Sequence, residues 1–226
     1  MPNVLITGAN RGLGLSLSEL YLEEGFHVFA GYRTGPEAFN ALLQKWSRTL
    51  HPVQLEVTRA DSVKRAVATV RSLTQSLDIL INNAAVLGDT GAPLENVDLA
   101  LVTRVFETNA VGPLRAVQAF LPLLRAGEHK VIANISSEAG SISTCKRDRM
   151  FDYCMSKAAL NMESMLLRNY LTDFLVVAIH PGWMRTDMGG KSADLDPHEP
   201  ARGIVQLIKA RPTEPFVVYD GTPMTW

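Results

Sequence analysis

Near the amino terminus the apolar, β-rich run Asn3 to Thr7 ends in Gly8-Ala9-Asn10-Arg11-Gly12-Leu13-Gly14, and Leu15 to Glu24 then reads as an amphipathic helix. A strand, a glycine turn and a helix in that order, with a second strand at His27 to Tyr32, predict the opening unit of an α/β sheet. Glycines at such a turn let backbone pass close to a pyrophosphate, whose charge then sits where the unpaired N–H groups of the helix point. Gly8, Asn10, Arg11, Gly12, Leu13 and Gly14 are therefore the first candidate contacts for a dinucleotide.

The alternation continues along the chain. Helices are expected over Glu37 to Leu50, Asp61 to Ser76, Leu99 to Leu124, Phe151 to Tyr170 and Pro200 to Ala210. Strands are expected over Val53 to Val57, Ile79 to Ile81, Lys130 to Ile135, Phe174 to Ile179 and Phe216 to Tyr219. This pattern predicts a Rossmann-type doubly wound, mostly parallel sheet with helices on both faces. The 226 residues fit one domain, since α/β domains often exceed about 200 residues without splitting. A net charge of -1 gives no electrostatic case for nucleic acid. No apolar run is long enough to span a bilayer, and no secretory leader opens the sequence, so a cytoplasmic location is expected. Two cysteines, Cys145 and Cys154, are too few for a disulfide framework or a structural zinc site and are expected as reduced thiols.

Ligands of open α/β sheets bind at the carboxyl edge of the strands, so the residues delivered there are the candidates for chemistry. The second strand ends at Tyr32-Arg33-Thr34, about 20 residues past the glycine turn, where an NAD-binding protein usually carries an acid. Arg33 instead offers a fork of donors suited to a 2′-phosphate, with Arg11 as a second cation, which favours NADP(H) over NAD(H). The fourth strand delivers Asn82-Asn83-Ala84-Ala85, whose small alanines admit a flat ligand. Pro113 has no N–H for the carbonyl of Asn109, which points to a bend there and a free acceptor. The next strand hands over Ser136 and Ser137. Tyr153 and Lys157 share one face of a helix, where an ammonium lowers a neighbouring phenol's pKa and makes Tyr153 a general acid/base. The strand before His180 leads into Pro181-Gly182-Trp183-Met184-Arg185-Thr186, a turn placed to close over a cofactor.

Taken together, Thr7-Gly8-x-x-x-Gly12-x-Gly14, Asn82-Asn83-Ala84, Asn109, Ser137, Tyr153-x-x-x-Lys157 and Pro181-Gly182 resemble, in order and spacing, the single-domain short-chain dehydrogenase/reductases. The short carboxyl-terminal part is similar to the subgroup containing C-factor-type and sniffer-type carbonyl reductases. The resemblance implies that Tyr153 gives a proton to a carbonyl, that Ser137 orients that oxygen, and that Lys157 holds the nicotinamide ribose and depresses the phenol's pKa. It also implies that the Asn109 carbonyl holds a water linking Lys157 to solvent. By the same resemblance Asn83, Ala84, Ala85, Pro181, Gly182, Met184 and Thr186 belong to the cofactor site, Thr186 at the carboxamide.

One departure is Glu56 where the family usually has aspartate, which leaves the adenine contact longer or made by the backbone of Val57. The function implied is hydride transfer between NADP(H) and a small carbonyl or secondary alcohol, with an apolar substrate held by about 138–152 and 183–198. Homodimers or homotetramers paired through the helices at Leu99 to Leu124 and Phe151 to Tyr170 are implied as well. The charged run Cys145-Lys146-Arg147-Asp148-Arg149 reads as a solvated loop or as recognition of an acidic group. The alternative function is a signalling or redox-sensing protein that binds the cofactor with little turnover.

Overall fold

A computed structural model describes residues 1–226. Seven strands form one parallel sheet: β1 (Asn3–Ile6), β2 (His27–Tyr32), β3 (Leu50–Gln54), β4 (Ile79–Asn82), β5 (Val131–Ile135), β6 (Leu175–His180) and β7 (Phe216–Val218). Their spatial order is β3-β2-β1-β4-β5-β6-β7, with every pairing parallel. The order reverses between β1 and β4, so the crevice for a ligand opens at the carboxyl ends of those strands.

Alternate side chains divide between the two faces, as a pleated strand requires. Val4 and Ile6 of β1 pack under α1 (Gly12–Glu23), α2 (Asn40–Trp46) and α7 (His198–Ala210). Leu5 between them points the other way, with Val63, Ala66 and Val70 of α3 (Ala60–Leu73) and Phe120 of the helix after Pro113. All three β1 side chains are fully buried, which explains why the strand reads as a continuous apolar run.

Three boundaries differ from the sequence expectation. The third strand pairs over Leu50–Gln54 and not Val53 to Val57. Leu55 and Val57 are buried beyond its end, so their apolarity imitates strand, and Pro52 is tolerated because β3 is an edge. The segment from Glu37 begins as a 3-10 turn, Pro36–Phe39, before α2. The long helix is divided into α4 (Leu99–Phe106), a π turn (Glu107–Val111) and α5 (Gly112–Arg125). In that π turn the Gly112 N–H reaches the Glu107 carbonyl, so the bend expected at Pro113 is a widened turn placed just ahead of it. The helix carrying Tyr153, α6, spans Phe151–Tyr170 as expected.

Candidate active site

A cleft of about 800 Å³ lies over the carboxyl edge of β1 and β4. Its floor is made by a clasp between these strands. The Thr7 hydroxyl accepts the N–H groups of Asn83 and Ala84, each at 3.0 Å, while the Asn83 amide donates to the Thr7 and Gly8 carbonyls at 2.8 and 3.0 Å. Asn83 is thereby a structural clamp under the cleft as well as part of its wall.

The glycine turn is shaped by close approach. A Cβ at Gly14 would stand 2.3 Å from the Gly8 carbonyl oxygen and 2.6 Å from the Asn83 amide nitrogen, so no side chain fits. Gly8 takes a φ of 65°, a left-handed conformation that glycine adopts without cost. The turn feeds directly into α1, which starts at Gly12, so its first N–H groups face the cleft without side-chain caps.

Most of the residues expected at a cofactor come together here. Gly8, Asn10, Arg11, Gly12, Leu13 and Gly14 line the cleft, as do Arg33, Glu56, Val57, Ala84, Ala85, Met184 and Thr186. Arg33 is exposed and no carboxylate pairs with it. Arg11 instead meets Asp187 in an exposed ion pair, tying the glycine turn to the 184–188 segment. The Val57 carbonyl is taken by the Arg115 guanidinium, leaving its N–H as the polar backbone group free of that contact. Pro181 and Gly182 lie behind the cleft wall, in the turn between β6 and Met184, with Gly182 at φ 78°.

Tyr153 and Lys157 form the inner end of the cleft. Both are buried, at 9% and 2% exposure. The Lys157 Nζ donates to the Ile135 carbonyl at 2.7 Å and lies 5.6 Å from the centroid of the Tyr153 ring. Burial pushes the phenol up to about 12, and the Ser137 side chain draws it partly back. Burial also pushes the lysine down to about 7. Loss of water is the leading cause of both shifts, so the phenol moves up and not down as its spacing from Lys157 led one to expect.

Ser137 follows β5 and caps a 3-10 turn, Glu138–Gly140, its oxygen accepting from the Ala139 N–H at 3.1 Å. Asn109 sits in the π turn, 1% exposed, away from the cleft surface. Its side chain bonds both the N–H and the carbonyl of Val86, at 2.9 and 2.8 Å, and reaches the Ser156 hydroxyl. It therefore ties the segment after Ala85 to the helix of Tyr153, a role that its sequence neighbourhood did not reveal. Reasoning from sequence also missed Thr34, Gly35, Val86 and Thr108 on the cleft wall, and held Asp187 only within the broad 183–198 region. Thr34 and Gly35 adjoin Arg33, and proximity alone was a signal for them; Asp187 arrives by a contact 176 residues away in the chain.

Residues 2–196 match the family model described as short chain dehydrogenase. The chain is 41% identical over 170 residues to a protein named C-signal from Myxococcus xanthus, covering 72% of this chain and 99% of that protein. Among solved structures, the carbonyl reductase Sniffer of D. melanogaster superposes with a TM-score of 0.92 at 34% identity, over 100% of both chains. An NADPH-bound carbonyl reductase from chicken fatty liver superposes with a TM-score of 0.89 at 33% identity, over 100% of this chain and 99% of that one. Fold, cleft and these likenesses agree: the chain belongs to the short-chain dehydrogenase family of oxidoreductases.

Proposed function

We propose that this protein is an NADP(H)-dependent reductase of small, apolar carbonyl compounds, with Tyr153 as the proton donor. The observation that carries the reading is a buried tyrosine, drawn on by Ser137 and beside a buried lysine, at the inner end of a cleft whose outer end presents an unpaired arginine.

The residues present fit a dinucleotide phosphate. The tight glycine turn admits backbone N–H groups to a pyrophosphate, and Arg33 offers two parallel donors to a 2′-phosphate. A bound NADPH supplies hydride from nicotinamide C4, the one piece of chemistry the chain does not hold itself. The protein orients the carbonyl and delivers the proton. With a pKa of about 12, Tyr153 is protonated at neutral pH, the form needed to turn a carbonyl oxygen into a hydroxyl. The Ser137 hydroxyl would donate to the same oxygen, and Lys157, held by the Ile135 carbonyl, would be the residue to hold the nicotinamide ribose of a bound cofactor. With its pKa lowered to about 7 by burial, Lys157 would exchange protons readily, and a water at the Asn109 carbonyl, as the family resemblance implies, would return the proton to Tyr153. Pro181 and Gly182 form the turn that brings Thr186 to the cleft wall, where it would hold the carboxamide of a bound cofactor.

The whole chain acts as one domain, with the substrate held by about 138–152 and 183–198. Exposed Ile142, Trp183 and Met188 on these segments support an apolar substrate. No helix is long and apolar enough to cross a membrane. A second reading, signalling with little turnover, is favoured by the likeness to C-signal.

The test is calorimetric titration with NADPH and NADH, repeated on Arg33→Ala, followed by turnover with a panel of aldehydes and ketones. The proposal expects NADPH to bind more tightly by about tenfold or more, with the preference lost in the variant. Binding without turnover across the panel would establish the signalling reading instead.

A further inference from the structure

We infer that Pro223–Trp226 is a strap that positions the substrate-side loop, with Thr225 and Trp226 as positioning residues for substrate affinity. The strap runs back along β7: the Met224 N–H donates to the Phe216 carbonyl at 2.9 Å, and Pro223 bridges antiparallel to Val217. Trp226 then stacks on Phe216, with ring centroids 5.0 Å apart and planes 13° from parallel. Phe216 is fully buried, so the tryptophan is seated on the sheet and does not simply cover solvent.

From that seat the strap takes hold of the loop after Ser137. The Ser141 hydroxyl, 1% exposed, donates to the Thr225 carbonyl at 2.7 Å. The Ser143 N–H donates to the Trp226 carbonyl at 2.8 Å, and the Ser143 hydroxyl to the Thr225 hydroxyl at 2.9 Å. The Thr144 hydroxyl completes the cluster by donating to Ser141 at 2.8 Å. Four polar residues and two backbone carbonyls thus satisfy one another at a single junction, of which Ser141 is the buried member, so its hydroxyl is the one most costly to leave without a partner.

The junction leads directly to the reacting groups. The Ser141 N–H bonds the Glu138 carbonyl, and the Gly140 N–H bonds the Ser137 carbonyl, so Ser141 closes the turn that Ser137 opens. Asn161 of α6 donates to the Gly140 carbonyl at 3.1 Å, which fixes the turn against the helix of Tyr153 and Lys157. On this side of Ser141 the backbone is held by α6; on the other, from Ile142 to Arg149, it is exposed. The strap is therefore an anchor at the start of that exposed stretch, whose far end is tied by Arg147 to Glu138 and by Arg149 to the Gly91 carbonyl. No residue of the strap lines the nucleotide cleft.

This inference rests on the reductase reading for its kinetic part and on the fold alone for its dynamic part. The experiment compares Trp226→Ala, Ser141→Ala and the wild type. Hydrogen exchange of amides 141–149, NADPH affinity and kinetics with an aromatic aldehyde of the panel are measured in each. The expected result is faster exchange confined to 141–149 and a KM for the aldehyde raised about fivefold, with kcat and NADPH affinity within about twofold. A Ser141→Thr variant, which keeps the hydroxyl, restores both readouts toward wild type. Unchanged exchange in both alanine variants overturns the strap, and so does faster exchange with an unchanged KM. If the wild type reduces no aldehyde, the reductase reading fails on its own, and the exchange data still decide whether the strap holds the loop.

Discussion

Burial pushes the Tyr153 phenol from its ordinary 10 up to about 12, which moves it further from phenolate at neutral pH and suits the acid role proposed for it. Tyr153→Phe keeps the ring and deletes the proton. Turnover in steady-state assays should fall by about a hundredfold or more, while calorimetry shows NADPH affinity within about twofold of wild type. Equal turnover in the variant removes Tyr153 from the chemistry. The spacing of Tyr153 and Lys157 was legible in the sequence, but the direction of the phenol's shift was not. Spacing places two groups on a face; the water left around them is decided by segments far away in the chain. Glu163 shows the same limit. It is 9% exposed with one carboxylate oxygen lacking a partner, and burial raises it from 4.5 to about 8. The folded protein therefore keeps a proton that the unfolded chain releases, and stability falls as pH rises from 4.5 toward 8. The slope is about 1.4 kcal/mol per pH unit at its steepest. Glu163→Gln keeps the shape and does not titrate, so its stability relative to wild type should increase between about pH 5 and about pH 8 in denaturant melts. A constant difference across that range would mean that the carboxyl ionises freely in the fold.

At the scale of elements, the turn from β1 to α1 was legible because its constraint is local. Three glycines in one short stretch have few other uses; Gly8 and Gly14 remove atoms where backbone meets backbone, and Gly12 where the turn meets the Thr186 side chain. Gly14→Ala tests the tightest point, where the new carbon would fall 2.3 Å from the Gly8 carbonyl. Neither a backbone oxygen nor the start of α1 yields without moving the turn. NADPH affinity should drop by about tenfold or more, and Tm should fall by about 4 °C or more for a loss on the order of 2 kcal/mol. Unaltered affinity in that variant would show that the pyrophosphate sits elsewhere. Elements whose shape depends on tertiary contact were read less well. Leu55 and Val57 look like strand because they are buried, yet they are buried after β3 has stopped pairing. The apolar residues of the run from Leu99 to Leu124 did not show where the π turn interrupts the helix. Pro113 marked the place of the irregularity but not its kind.

For the whole molecule, sheet order gathers stretches scattered from the glycine turn to the 184–188 segment into one cleft, and alternation of strands and helices was enough to anticipate that. Contacts between surface loops carry no period, so the Arg11–Asp187 pair and the strap on Ser141 became visible only in three dimensions. Assembly lies between these cases. Met155, Met162, Leu166 and Tyr170 recur at seven- and four-residue steps along α6, and all are more than half exposed, which puts them in one line along the helix. α4 packs against α6 and leaves Leu99 exposed, and α5 leaves Leu114 half-exposed. An apolar line of this length on a folded surface marks a place for a partner, and two copies related by a two-fold axis cover it on both at once. The helices named by the family resemblance are the ones that carry it. We therefore predict that the wild type sediments as a dimer or tetramer, and that Met162→Glu with Leu166→Glu gives a monomer at about 10 μM, since each charge would have to be buried unpaired in the interface. The double variant should keep its cleft, because neither residue reaches it, so NADPH affinity serves as the control for folding. A wild type that sediments as a monomer at the same concentration would remove the two-fold pairing and leave the apolar line to a different protein.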